Sequence, residues 1–207
     1  MSYVDLAFHL YTDAALTSLA SPNLSVVHNT SLSDNPQDFV RYFGNSAGAG
    51  IYQLQASSNP GVDQITLTPT DTLTNWAVAT AKTLGVSVEP TVDNTYRYEC
   101  TTAGTTHATT EPVWPTTIGL TIADGTVVWT CASKTHPTTE IKLATTSGGL
   151  AAATPGAALN LGHTILSGSA NAVAVHIRVT NTVTTVGSNV TTPEIGLYIN
   201  AVEESTV

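Results

Sequence analysis

The chain has 207 residues, of which only 10% are charged, and it carries a net charge of −9 with six lysine and arginine residues in total. Contacts with a phosphate backbone or an anionic bilayer need clustered cations, so this composition argues against nucleic acid and membranes as partners. The first residues lack a basic leader, and no apolar stretch is long enough to span a bilayer. We therefore expect neither a signal peptide nor a membrane span.

Apolar and polar residues alternate along much of the chain, which is the period of a half-buried β-strand. In chain order this pattern predicts strands at residues 4–10, 24–28, 39–43, 51–55, 64–68, 141–143, 159–161, 173–179 and 195–199. Clusters of Gly, Pro and Asn separate them, as expected for tight turns. Strands spaced about ten residues apart predict an all-β protein built as an antiparallel sandwich or barrel. Two segments, 71–81 and 150–153, carry mixed signals that admit short helices.

The sequence changes character near residue 90. Residues 91–133 hold two of the three tryptophans, both cysteines and a loop rich in Gly, Thr and Pro, and plain alternation returns after Lys134. We interpret this region as an insertion into one sandwich. The predicted sandwich comprises residues 1–75 plus 134–207, and the predicted small β module comprises residues 76–133; a start at residue 91 fits about equally well.

One segment has the spacing of a catalytic motif. Residues 44–48 (Gly-Asn-Ser-Ala-Gly) match the nucleophile elbow of α/β-hydrolases, in which a strand turns sharply into a helix. Alternation resumes directly afterwards, so we interpret the segment as a hairpin loop. The six histidines follow no zinc-ligand spacing, and the carboxylates are scattered. We therefore expect a protein that is not an enzyme and that has no catalytic residues, no metal and no cofactor.

The two cysteines lie in segments that alternate as strands. Tyr96, Tyr98 and Cys100 share one strand face, while Trp129 and Cys131 share a face of a second strand. If these strands pair antiparallel, Cys100 and Cys131 could form a disulfide, which would stabilise a small module by about 3 kcal/mol. The alternative is a pair of reduced, buried thiols, since cytosolic cysteines stay reduced.

A set of aromatic, Gly and Pro positions in the predicted module occurs in a fixed order. They are Trp76 and residues 85–88, 96–106, 111–115, 119 and 124–129. This pattern resembles the small carbohydrate-binding modules of the chitin-binding type that recur in virion proteins of tailed bacteriophages. The flanking segments 10–13, 35–39, 43–44, 59–67, 176–180 and 192–197 resemble phage structural proteins with an immunoglobulin-like sandwich.

The resemblance implies that exposed aromatic rings stack on sugar rings. Trp114 is then the leading candidate ligand-binding residue, with Tyr96 and Tyr98 next. The alternative is that the aromatics are needed for packing in so small a sheet, which we favour for Trp76 and Trp129. For Trp114, ligand binding and loop packing stay equally open.

The expected function is a non-catalytic structural protein of a bacteriophage virion, either a capsid decoration or a neck or tail accessory subunit. The expected partners are other virion proteins and further copies of the chain, and the expected location is the virion, assembled in the host cytoplasm. The alternative is a glycan-binding adhesin that attaches the particle to host or environmental polysaccharide.

Overall fold

The computed structural model of the protein describes residues 6–20, 35–183 and 195–207. Within these ranges the regular structure consists of β-strands and short 3-10 turns, and α-helix is absent. The prediction of an all-β protein is therefore confirmed. In chain order the strands are β1 (His9–Tyr11), β2 (Gln37–Gly44), β3 (Tyr52–Ala56), β4 (Ile65–Asp71), β5 (Thr74–Asn75), β6 (Ala81–Lys82), β7 (Ser87–Glu89), β8 (Tyr96–Thr102), β9 (Gly104–Thr105), β10 (Thr121–Asp124), β11 (Val127–Lys134), β12 (Ile141–Ala144), β13 (Leu159–Gly162), β14 (Thr164–Leu166), β15 (Val173–Val179), β16 (Ile195–Ile199) and β17 (Val202–Thr206).

The chain divides into two compact units. Only the described residues of each unit are discussed below. The first, which we call the sandwich unit, comprises Met1–Asp71, Pro137–Thr182 and Ile195–Val207. The second, which we call the small unit, comprises Thr72–His136 and Val183–Glu194. The small unit contains all of the predicted module, residues 76–133.

The sandwich unit contains one four-stranded sheet and two three-stranded sheets. The four-stranded sheet has the order β1-β2-β15-β12, and the other two have the orders β13-β4-β16 and β14-β3-β17. All pairs within them are antiparallel. Their inward-facing side chains form one hydrophobic core, which gives a sandwich-like arrangement. Its members are Phe8, Leu10, Phe43, Leu54, Ile65, Leu67, Ile141, Leu143, Leu161, Ile165, Val175, Ile177, Leu197, Ile199 and Val202. The immunoglobulin-like connectivity stays a prediction.

The two three-stranded sheets share the same three chain segments. The pairs β3 and β4, β13 and β14, and β16 and β17 are consecutive along the chain, and they keep the same order in both sheets. The side chain of Asn200 lies where β16 passes into β17: its Oδ1 accepts from the Thr66 N–H at 2.9 Å, and its Nδ2 donates to the Gln64 carbonyl at 3.0 Å. The central segment consists of β3 and β4, and residues 57–64 between these two strands lie outside the ladder.

The small unit has its own sheet and its own core. Five strands lie in the order β10-β11-β8-β7-β5, in which β5 and β7 are parallel and the other pairs are antiparallel. β6 and β9 form a separate two-stranded ladder. The core consists of Trp76, Val88, Tyr98, Cys100, Val127, Trp129 and Cys131, with Tyr96, Trp114 and Ile122 packed against it.

Most of the strands predicted from alternation are present, and two expectations need correction. The segment 71–81 is not helical, since it contains the end of β4 and the short strands β5 and β6. The first strand is predicted at 4–10, but of its described residues only those from His9 onwards are in a strand, His9–Tyr11, because the amides of Ala7 and Phe8 donate to the Glu204 carboxylate instead of joining a ladder. Near 150–153 there is a 3-10 turn, Gly148–Leu150. The predicted strand at 24–28 lies outside the described residues.

Candidate functional site

A buried carboxylate organises the core of the small unit. Asp124 is 3% exposed, and its Oδ2 accepts hydrogen bonds from the indole N–H groups of Trp76 at 2.7 Å and Trp129 at 2.9 Å. Its Oδ1 accepts from the backbone N–H of His107 at 2.7 Å. A buried polar group is costly unless it is hydrogen-bonded, and here three donors satisfy the carboxylate. Trp76 and Trp129 are thereby fixed as core residues, as the packing alternative predicts.

The small unit also has an open groove of about 400 Å³ between two loops. One wall comes from the loop after β7 and the other from the long segment between β9 and β10. The lining residues are Pro90, Thr91, Val92, Asn94, Glu111, Pro112, Val113, Trp114 and Thr116. Concave sites that combine apolar and aromatic side chains with a few polar groups are typical of ligand binding.

Glu111 ties the two walls of this groove together. Its Oε1 accepts from the Thr91 backbone N–H at 2.9 Å and from the Trp114 indole N–H at 2.7 Å. Its Oε2 accepts from the Thr91 hydroxyl. Partial burial acts to raise the pKa of Glu111, but the hydrogen bonds from Thr91 and Trp114 outweigh it and hold the pKa below its ordinary value. The carboxylate is therefore ionised at neutral pH.

Tyr98 forms a second connection between the walls. Its hydroxyl accepts from the Asn94 side-chain amide at 2.8 Å and donates to the Pro115 carbonyl at 2.9 Å. Burial raises the pKa of Tyr98, so the hydroxyl keeps its proton and can donate. The ring itself is fully buried. The prediction that Tyr98 offers a face for stacking on a ligand is therefore wrong, because the alternation of β8 turns this side chain into the core.

Trp114 belongs both to the core and to the groove. Its ring centroid lies 4.3 Å from that of Tyr98 and 6.0 Å from that of Trp129, and the side chain is half-buried. The same residue lines the groove. Tyr96 is half-buried and packs against the core, and it is not among the lining residues. Of the three predicted ligand-binding residues, only Trp114 lies at the groove.

Sequence reasoning missed the polar residues that shape this site. Thr91 and Asn94 follow a strand as turn formers, and Glu111 stands three residues before Trp114 in a loop. Both rims of the groove carry an apolar side chain, since Val92 is 80% exposed and Val113 is 89% exposed. The signal that could have found the groove is a pair of exposed valines, one in each loop, near an aromatic residue. This signal can be recognised only once the two loops are known to lie together.

Cys100 and Cys131 are buried free thiols. In the β8–β11 ladder Cys100 lies opposite Trp129, and Cys131 lies opposite Tyr98. The thiols are thus diagonal neighbours, at a separation of about 7–8 Å between Cα atoms, which is wider than a disulfide accepts. The predicted disulfide is not formed, and the structure corresponds to the reduced alternative. Burial raises the pKa of both thiols, so they are protonated at neutral pH.

The segment with catalytic spacing is a loop from β2 to β3. Buried Ser167 holds it: the hydroxyl donates to the Gly48 carbonyl at 2.6 Å and accepts from the N–H groups of Ile51 and Tyr52, both at 3.0 Å. Ser46 is exposed and leads into no helix. Across the described parts of the chain, no group of three or more His, Cys, Asp and Glu side chains could hold a metal ion.

Two further findings concern the membrane and known proteins. Among the residues that the structure describes, no helix is long and apolar enough to cross a bilayer. Comparison of the chain with protein-family models, with curated proteins and with solved structures finds no match.

Proposed function

We propose that this protein is a non-catalytic structural subunit of a tailed-bacteriophage virion, either a capsid decoration or a neck or tail accessory subunit. The proposal starts from the resemblance of the flanking segments to phage structural proteins. The structural observation that carries it furthest is a corner of exposed apolar side chains on the sandwich unit.

This corner lies where β3 meets β17, an edge strand. Ile51 is 50% exposed, Tyr52 is 40% exposed and Val207 is 73% exposed. The three are neighbours, since the Val207 N–H donates to the Ile51 carbonyl at 3.0 Å and Tyr52 lies opposite Thr206. Adjacent exposed apolar residues beside an edge strand are typical of protein–protein contacts. In a virion, the neighbouring subunit would cover them.

Purified particles test this proposal. Quantitative mass spectrometry is expected to find the protein in virions, with a copy number relative to the major capsid protein that separates decoration from neck or tail positions. The double variant Ile51→Ser, Tyr52→Ser is expected to fold and to be incorporated poorly. Val62→Ser is a matched control, because Val62 is 61% exposed in the 57–64 loop of the same unit. Absence of the protein from virions would overturn the proposal.

We propose as a second candidate function that the small unit binds a glycan on the host or in its environment. The groove favours this hypothesis, because Trp114 and the two rim valines offer apolar contacts beside the polar groups of Asn94 and Thr116. Sugar rings present C–H faces and hydroxyl groups together, and a site of this mixed character can contact both.

Binding of the protein to insoluble chitin and to soluble polysaccharides, measured by pull-down and calorimetry, tests the second candidate. Trp114→Ala is expected to weaken binding about tenfold or more, as loss of a central aromatic contact does at other interfaces. Because Trp114 also packs against Tyr98, Val113→Ser provides a variant that leaves the core intact. Leu84→Ser is the control, since Leu84 is 66% exposed in the same unit and does not line the groove. Unchanged binding in both groove variants would contradict the assignment.

A further inference from the structure

The position of Glu111 gives the groove a built-in charge. Glu111 is itself a lining residue. Its carboxylate accepts three hydrogen bonds from other lining residues, two from Thr91 and one from Trp114. One oxygen accepts two of these bonds and the other accepts the third. The side chain is therefore held in place rather than free to turn towards solvent, and its negative charge is a fixed property of the groove.

The side chains that line the groove include no cation to offset this charge. None of the lining residues is a lysine, arginine or histidine. A ligand carboxylate or sulfate placed in the groove would face like charge without a cationic partner, which disfavours binding.

The remaining groups suit an uncharged ligand. Asn94 and Thr116 bring polar side chains, while Trp114, Val92 and Val113 bring apolar surface. The hydroxyl and amide groups of a neutral glycan can exchange hydrogen bonds with the polar side chains, and the C–H faces of its sugar rings can pack against the apolar surface.

We infer that Glu111 is a positioning and specificity-determining residue of the groove: it holds Trp114 against the Thr91 wall, and it makes the site select uncharged glycans over carboxylated or sulfated ones. The inference rests on the glycan-binding hypothesis, the second candidate above. It assigns two separable roles to one side chain, because the hydrogen bonds set the shape and the charge sets the preference.

Two substitutions separate these roles. Glu111→Gln keeps the size and a carbonyl acceptor for Trp114 but removes the charge, and its amide can donate to the Thr91 hydroxyl. Glu111→Ala removes both the charge and the hydrogen bonds. Asp93→Asn is the matched control, because it removes one negative charge from the same loop at a residue that does not line the groove, and the new side chain can still accept the Thr95 N–H.

The experiment compares two probes with the same backbone, hydroxyethyl cellulose and carboxymethyl cellulose, and adds an array of neutral, uronate-containing and sulfated oligosaccharides. The wild-type protein is expected to bind neutral probes and to bind the anionic ones at least about tenfold more weakly. Glu111→Gln is expected to retain neutral binding within about twofold and to abolish most of the discrimination. Glu111→Ala is expected to weaken neutral binding about tenfold, while Asp93→Asn leaves both quantities unchanged.

Each other outcome has a distinct meaning. Equal binding of neutral and anionic probes by the wild-type protein would overturn the charge preference and leave glycan binding intact. Unchanged discrimination in a folded Glu111→Gln variant would remove Glu111 from the role assigned to it. If no probe on the array binds to the wild-type protein, glycan binding itself is refuted, and the inference with it.

Discussion

The cores of the two units differ in the kinds of side chain that hold them together. The hydrophobic core of the sandwich unit is aliphatic apart from Phe8 and Phe43, and most of its side chains come from three sheets. In the small unit, two tryptophans and one tyrosine account for most of the buried volume, and a single carboxylate receives both indole N–H groups. A smaller domain buries a smaller fraction of its surface. Each specific contact in it therefore carries a larger share of the stability.

This comparison predicts where each unit is vulnerable. Stability in the sandwich unit is spread over many similar contacts, so each substitution removes only a part. In the small unit it is concentrated at Asp124 and at the turn that follows it. All three tryptophans of the chain, Trp76, Trp114 and Trp129, belong to the small unit, so tryptophan fluorescence follows the unfolding of that unit selectively.

The largest effect is expected from Asp124→Ala. The substitution leaves the indole N–H groups of Trp76 and Trp129 buried without an acceptor, at about 1–3 kcal/mol each, so we expect a loss of about 4 kcal/mol. Urea denaturation followed by tryptophan fluorescence measures it. Asp93→Ala is the control, since Asp93 is exposed and accepts a local bond from Thr95. Equal effects of the two variants would contradict the central role of Asp124.

Leu67→Ala tests the sandwich unit. Leu67 is fully buried in β4, and truncating such a leucine leaves a cavity that costs about 3 kcal/mol. We expect the unfolding transition followed by far-UV circular dichroism to move to lower denaturant, with a smaller change in the fluorescence transition. If the fluorescence transition moves equally, the two cores do not unfold as distinct units, and the comparison fails.

Two glycines of the small unit both have positive φ but differ in the space around them. Gly125 has φ +60, and a Cβ there would lie 2.4 Å from the Thr105 carbonyl oxygen, so Gly125→Ala is expected to cost about 2 kcal/mol or more. Gly85 has φ +80 with no atom near the added Cβ, so Gly85→Ala should cost only about 1 kcal/mol of backbone strain. Thermal melts of the two variants measure the difference. Similar melting temperatures would show that the close approach at Gly125 relaxes easily.

The smallest effect is expected at an exposed ion pair of the sandwich unit. Arg178 and Asp38 lie opposite each other in β15 and β2, with N–O distances of 2.7 and 2.6 Å. The hydrogen bond from Arg178 lowers the pKa of Asp38, so the pair stabilises the fold above the ordinary aspartate pKa of about 3.9, and this contribution disappears as the pH falls further. Arg178→Gln should therefore narrow the stability difference between pH 6 and pH 3. Chemical denaturation at both pH values tests this, and an unchanged difference would contradict it.

The sequence predicted the sandwich well because a half-buried strand has to alternate. Residues 173–179 and 195–199 show this in full, and both are strands with the expected bounds. β17 escaped prediction because only Val202 among its residues is apolar and buried. A strand that lies at an edge needs little apolar surface, so periodicity cannot reveal it.

The groove was harder to predict, for a different reason. Alternation places Tyr96, Tyr98 and Cys100 on one face of β8, but it does not tell which rings stay accessible. The contact between Thr91 and Glu111 joins loops that are 20 residues apart in the chain. Such a contact depends on how the strands pair, and no local pattern encodes it. Trp114 could be singled out from the sequence, whereas its two-sided environment could not.

The excursion at residues 57–64 has a consequence for how this chain can be modified. The residues from Ser57 to Val62 are exposed, and the ladder continues on both sides of the excursion, with β3 and β4 each paired to the same neighbouring segments. The pairing of the sheets is therefore fixed without the loop, and surface loops lengthen at little thermodynamic cost. We expect this loop to accept foreign peptides, which makes it the natural position for displaying an epitope or an affinity tag on the protein.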